Sequence, residues 1–481
     1  MTLFHICVFL FISLFTGIFV SKKNRSWLFV IFNILAVFWL QPVSSIRHLD
    51  FWLPATSVGL VVLTWFSTQS TYNRRKTWLT VGVISITFLA ISLLRYIEPL
   101  CCITASRPPA IFQILVVVVP LILFFILVIR FFPKKPALSI ILICAIIVLF
   151  IILKTEIFSA YFSKAFRSIT GQDPTLAAAS DLLWIGFSYL AFRLLHYLRD
   201  FQTGKIPSHN LDEFIAYTLF YPSYTAGPIE RLPRFLENMR APEDNLNKRW
   251  HLSSKDFFEG STRVIMGIFK KFVLADSLAI IALNNQNALQ IKSTFWAWVI
   301  LYSYALRIYF DFSGYTDVAI GMGRYLGIRL PENFTSPYLK NNLTSFWNSW
   351  HITLAQWFRA YVFNPLTRSM RSSNHNFYTW FIILCAQLST MFLIGLWHGI
   401  TINFAIWGLW HGLGLFIHNR WSDWRKTHFF EWENKSWVKN LFSCGSWLIT
   451  FNYVSLGWVW FALSTPQMSW HIIRVLLGVN I

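Results

Sequence analysis

Two histidines stand where an imidazole could act as a base. His351 lies in Phe346-Trp347-Asn348-Ser349-Trp350-His351-Ile352-Thr353-Leu354-Ala355-Gln356-Trp357-Phe358-Arg359, too aromatic for a solvated loop and too polar for a lipid-facing span. At helical spacing Trp347, His351, Ala355 and Phe358 share a face, which would set one imidazole in an aromatic-walled cavity. His398 lies in Gly395-Leu396-Trp397-His398-Gly399, at the end of a long apolar stretch and just before Asn403. Its flanking glycines permit close backbone approach. A neutral imidazole, with an ordinary pKa of about 6.5, can accept the proton of a hydroxyl. The chemistry these residues suggest is therefore acyl transfer to an alcohol, without metal or nucleotide. The alternative for either ring is a histidine bonded to a helix carbonyl.

The pentapeptide recurs as Gly408-Leu409-Trp410-His411-Gly412. On one continuous helix this offset leaves His398 and His411 on nearly opposite faces, so one of them is expected to be structural, as are His196 and His418. Asp311-Phe312-Ser313-Gly314-Tyr315-Thr316-Asp317 puts two carboxylates near a membrane boundary. They lack partners for a metal site, so pairing with Arg307, Arg324 or Arg329 is expected. Tyr224-Thr225-Ala226-Gly227-Pro228-Ile229-Glu230 reads as a tight turn. The cysteines form no CxxC pair, and vicinal Cys101-Cys102 cannot make an ordinary unstrained disulfide. No metal site is expected, and no P-loop, GxSxG elbow, HExxH or dinucleotide fingerprint occurs in credible context.

These residues must be held by helices in a bilayer. With 55% hydrophobic and 13% charged residues, the chain has too little polar surface to solvate a globule of 481 residues. Apolar spans are expected near 3–20, 27–40, 51–67, 78–94, 110–130, 138–153, 182–198, 261–283, 294–310, 379–396, 402–419 and 446–463, with shorter apolar pieces at 213–226, 351–366 and 468–480. The first has no charged n-region or cleavage site and reads as a retained helix. The formal charge of +20 is spread over short runs such as Lys22-Lys23-Asn24-Arg25, Arg74-Arg75-Lys76 and Lys134-Lys135, so it reads as topology signals and not as nucleic-acid binding. If 22–25 is cytoplasmic, alternation puts 74–76, 130–135 and 199–205 on the same side. The N-terminus and loops 41–50, 95–109 and 154–180 then lie outside. From Asp181 onward Pro, Gly, His and Asn interrupt the apolar stretches, and such polar backbone at membrane depth marks where a site should be sought. The charged segment 227–257 is expected to be a partly helical cytoplasmic loop.

Taken together, these residues resemble the membrane-bound O-acyltransferase family, in particular its bacterial branch of alginate O-acetylases and teichoic-acid D-alanylation proteins. The resemblance spans residues 181–420 and rests on five pieces in family order: Ala226-Gly227-Pro228-Ile229, Asp311 to Tyr315 with Asp317, Pro331-Glu332-Asn333-Phe334, Phe346-Trp347 to Pro365, and Gly395 to Gly399. It implies an all-α polytopic integral membrane fold of about 11–14 transmembrane or re-entrant helices around a central tunnel. N-terminal transmembrane helices would occupy 1–165 and the catalytic core with C-terminal helices 181–481.

By position, the family's catalytic histidine falls on His398 and its second functional histidine on His351, which favours the first copy of the repeat. Trp347, Trp350, Trp397 and Asn403 are the candidate tunnel residues. The implied reaction moves an acyl group, acetyl by preference, from a thioester donor to a hydroxyl of an extracytoplasmic polysaccharide or cell-envelope glycan. No bound cofactor is implied; acyl-CoA or an acyl-carrier thioester is the co-substrate. Implied partners are the bilayer of the cell's cytoplasmic (inner) membrane, the donor carrier, the glycan acceptor and a periplasmic or extracellular acyltransferase. Two rivals are acylation of a lipid or lipidated protein, and a transporter or flippase of an activated acyl or glycan unit. A transporter commonly carries repeated helix groups, and only the pentapeptide recurs. The family's usual FWRRWH has Asn348 and Ser349 in place of its two arginines. Ala360 replaces an Asp, and Thr367-Arg368 replace a double glycine. These departures lie on the cytoplasmic flank and bear on the donor carrier more than on the reaction type.

Overall fold

A computed structural model describes residues 2–69, 73–97, 103–131, 135–241, 251–373, 377–428 and 436–479. Cys101, Cys102, Lys134 and residues 242–250 of the charged segment lie outside them. In hydrocarbon every backbone polar group must be satisfied within the chain, which favours helices. Accordingly, apart from one isolated antiparallel bridge between Phe334 and Trp350, the described residues form helices, turns and loops. Among the described residues, four helical stretches are long and apolar enough to cross a bilayer: Leu49–Thr68, Arg74–Tyr96, Ala137–Lys154 and Thr379–His398. Shorter apolar helices add to them at Leu3–Phe19, Arg25–Trp39 and Ile111–Pro120. The chain is an all-α, multi-pass membrane protein.

It divides into two compact units, one of Met1–Val264 with Ala319–Leu330, the other of Ile265–Val318 with Pro331–Ile481. The first unit begins with α1 (Leu3–Phe19), α2 (Lys22–Trp39), α3 (Leu49–Thr68), α4 (Arg74–Leu93), α5 (Ile111–Phe131) and α6 (Lys135–Lys154), matching the first six expected spans. It continues through α7 (Glu156–Ile169), α8 (Phe187–Gln202), α9 (Leu211–Thr218), α10 (Leu232–Arg240) and most of α11 (Ser254–Ile268).

Two features of this unit depart from the sequence reading. Arg25, counted among the topology charges, is buried and donates to the carbonyls of Gly17, Val20 and Leu326. Within the expected exterior loop 154–180, α7 turns a polar stripe inward. Ser163 and Arg167 both bond Asp181, at 2.6 and 2.9 Å, while Ile157, Phe158, Tyr161 and Ile169 are exposed. The turn at Gly227 is present, with φ of 106°.

The second unit holds the later part of the polar, interrupted stretch that begins at Asp181, residues 181–264 belonging to the first. After α11 a π-helical stretch, Phe269–Ala275, leads into α12 (Asp276–Ala279) and α13 (Asn285–Gln290). The long α14 (Thr294–Tyr325) runs from this unit into the first. The Asp311–Asp317 block therefore lies inside a helix instead of following a span. The expected arginine partners are also replaced: Lys270 bonds Asp317 at 2.6 Å, and Lys271 bonds Asp311. Arg324 pairs with Asp256 and Glu259 in the first unit. A Cβ on Gly267 would lie 2.5 Å from the carbonyl oxygen of Gly314, so two bare backbones bring the lysines within reach of α14.

Next come α15 (Leu343–Trp347), α16 (Ile352–Phe358), a second π-helical stretch (Arg359–Phe363) and α17 (Asn364–Arg371). The unit closes with α18 (Thr379–His398), α19 (Ile402–His428), α20 (Ser436–Ala462) and α21 (Pro466–Leu476). α18 and α19 form a tight antiparallel hairpin. A Cβ on Gly395 would strike the carbonyl of Phe404, one on Gly408 that of Met391, and one on Gly412 would lie 3.2 Å from the Cα of Leu388.

Candidate active site

The helix expected to carry Trp347, His351, Ala355 and Phe358 on one face is broken between Trp347 and Ile352, so those residues do not share a helical face. α15 ends at Trp347, and His351 is the N-cap of α16 with φ of 43° and ψ of 54°, the left-handed region that non-glycine residues rarely adopt. An adjacent segment holds it there. Phe334 bridges Trp350, the Thr335 N–H donates to the Ser349 carbonyl, and the Ile352 N–H donates to the Asn333 carbonyl at 3.0 Å. The His351 ring is buried and stands edge-on to Phe312, centroids 4.6 Å apart. Its Nε2 has no hydrogen-bond partner among the described residues.

His398 is the last residue of α18, where the chain turns through Gly399 into α19. Its ring packs against Trp397, Phe404, Trp407 and Phe461, with centroids 4.7, 6.0, 5.4 and 4.8 Å away. Unlike His351 it is only partly buried. Trp397 lies 6.1 Å from the His351 ring and so touches both imidazoles. The structure thus brings together, around one indole, a partly exposed imidazole and a buried one with an open nitrogen. One can exchange a proton with an incoming hydroxyl, and the other can donate to or accept from a neighbouring oxygen.

Of the other tunnel candidates, Trp347 and Trp350 are buried. Trp350 sits among Phe334, Tyr338, Phe346 and Trp458, whereas Trp347 contacts Trp407 and His411. Asn403 is buried too, its Nδ2 donating to the Leu463 carbonyl and Ser469 Oγ at 2.7 and 3.0 Å. These bonds tie it to the end of α20 and to α21.

The single-helix argument about the repeat does not hold, because Gly399 to Thr401 separate α18 from α19. His411 is nevertheless fully buried, ringed by Trp347, Trp407, Tyr453 and Trp458. His196 bonds the Tyr217 hydroxyl at 2.5 Å, and His418 lies 3.1 Å from Thr344 Oγ1. The residues standing where the family has arginines have local work. Ser349 is buried and donates to the carbonyls of Ser345 and Phe346, and Asn348 accepts from Arg359 at 2.7 Å. Sequence reasoning missed Phe312, Phe461 and Asn333; Phe461 is an ordinary hydrophobe in sequence, while Phe312 and Asn333 lay in motif pieces without a role of their own.

A family model described as MBOAT, membrane-bound O-acyltransferase family, matches residues 148–456. The Pseudomonas aeruginosa protein named "Probable alginate O-acetylase AlgI" is 35% identical over 298 residues, 62% of this chain and 52% of that protein. A Helicobacter pylori peptidoglycan O-acetyltransferase is 36% identical over 279 residues, 57% of this chain and 48% of the relative. A teichoic acid D-alanyltransferase of Streptococcus thermophilus is 30% identical over 308 residues, 60% and 71% respectively. The match to the O-acetylases spans about half their length. Because that family model covers residues 148–456, well over half of the sequence, this chain belongs to the membrane-bound O-acyltransferase family.

Proposed function

We propose that the protein transfers an acyl group, acetyl in the first instance, from a thioester to a hydroxyl of an extracytoplasmic polysaccharide or cell-envelope glycan. The observation that carries the reading is Trp397 in ring contact with both His351 and His398, with His398 the more open of the two. In this mechanism His398 takes the proton of the acceptor hydroxyl as its oxygen attacks the thioester carbonyl. His351 hydrogen-bonds the oxygen on which charge develops. The C–O bond forms, the C–S bond breaks, and the departing thiolate receives the proton from His398. The donor is acyl-CoA or an acyl-carrier thioester presented from the cytoplasmic side of the inner membrane. The acceptor class is supported by the names of the relatives, which act on alginate, peptidoglycan and teichoic acid, and a periplasmic or extracellular acyltransferase partner would complete delivery to the final glycan.

The test is reconstitution in vesicles with labelled acetyl thioester and a panel of soluble glycans. Base-labile label in the glycan, lost in His398→Ala, supports the reading. Label in lipid or protein would move the acceptor class, and label crossing the membrane without ester formation would make the protein a carrier.

A further inference from the structure

His351 occupies the N-cap of α16, yet its side chain makes no capping hydrogen bond. An N-cap side chain ordinarily accepts the N–H of the second or third helical residue. Here that duty falls to a residue eighteen positions earlier. Asn333 is fully buried, and its Oδ1 accepts the Thr353 N–H at 3.2 Å and the Thr353 hydroxyl at 2.6 Å. Its main-chain carbonyl accepts the Ile352 N–H. Both residues following His351 are thus tied to Asn333, while Thr335 and Phe334 tie the two residues before it.

We propose that Asn333 is the positioning residue of His351: it caps α16 in place of the histidine, which holds His351 in its left-handed conformation and leaves the imidazole for the reaction. A strained backbone persists only where its surroundings over-determine it. Four ties around one residue provide this. If the histidine capped its own helix, the ring would be drawn toward the backbone of α16 and away from Phe312 and Trp397. The inference rests on the proposed role of His351, and it adds Asn333 to the residues on which turnover depends without placing it in contact with substrate.

The experiment compares Asn333→Ala, Asn333→Asp, His351→Ala and the Asn333→Ala/His351→Ala double variant, each assayed per folded molecule in vesicles with labelled acetyl thioester. Asn333→Asp keeps an acceptor oxygen and exchanges Nδ2, which donates to no described residue, for a second carboxyl oxygen that stays neutral in this buried site only when protonated. Asn333→Ala should lower kcat at least tenfold with KM for the donor unchanged, and Asn333→Asp should recover most of it. In the His351→Ala background, Asn333→Ala should cost nothing more, because residues acting through one group are not additive. Multiplying effects in the double variant, or full turnover by Asn333→Ala, would overturn the proposal. Modification of His351 by diethyl pyrocarbonate and deuterium exchange of the Ile352 and Thr353 amides are read on the same samples. Both should rise in Asn333→Ala and return in Asn333→Asp; no change in either overturns the proposal even if the parent transfers no acyl group, a result that would separately remove the proposed function.

Discussion

His398 and His411, from the two copies of one pentapeptide, both lie against the indole of Trp407, with ring centroids at 5.4 and 5.0 Å. Two imidazoles flank one tryptophan, but their surroundings differ. His398 is partly open, whereas His411 has no exposed surface.

That difference predicts distinct failures. His398→Ala should abolish acyl transfer with normal insertion, since a general base contributes typically about 10²–10⁴-fold. His351→Ala should reduce turnover strongly. His411→Ala should lower folded yield and thermal stability, because truncating a large buried ring costs about 3 kcal/mol or more, while activity per folded molecule stays near the parent's. Transfer of label to the acceptor, normalised to folded protein by size-exclusion fluorescence, separates the three. An inactive but well-folded His411→Ala protein, beside an active His398→Ala protein, would reverse the assignment.

The pairing of Lys270 with Asp317 makes a second case. Asp317 is buried while Lys270 is partly exposed, so removing one partner costs less than the about 3–5 kcal/mol of a fully buried pair, whereas replacing both with apolar residues is often neutral. Asp317→Asn should therefore reduce folded yield in detergent more than turnover, and Lys270→Met/Asp317→Leu should regain much of the lost stability. Melting temperatures of the two proteins decide it; a normal melting temperature with lost activity in Asp317→Asn would put Asp317 in the reaction.

Topology is open to a chemical check. The basic run at 74–76 should face the cytoplasm, because Lys and Arg of short loops set orientation. A cysteine placed at Asn73 should resist an impermeant thiol reagent in sealed cells, whereas one at the exposed Asp173 should react. The opposite pattern would invert every loop.

The spans of α1 to α6 were legible because an apolar run of this length has few alternatives in a bilayer. His351 and His398 were legible because polar residues among tryptophans are costly at membrane depth. The break at Asn348 to Trp350 was not, since the bonds that make it come from Asn333 to Thr335, remote in sequence. Asp317 was assigned to arginines because charge partners were sought nearby along the chain. Its lysine arrives from another helix through the contact of Gly267 with Gly314, and a glycine carries no mark of what will approach it. The repeat misled for a related reason: periodicity says which way a residue points only while one helix lasts, and this one ends at His398.

The glycine contacts between α18 and α19 also limit how the hairpin can move. Gly395 faces the backbone at Phe404, Gly408 that at Met391, and Gly412 that at Leu388. Sliding one helix past the other by a single residue would drive a side chain into main chain at all three places, so the register has no soft mode. Any motion that carries His398 toward or away from a substrate must carry His411 and Trp407 along as one rigid lever, or else be confined to the rotamer of the imidazole itself.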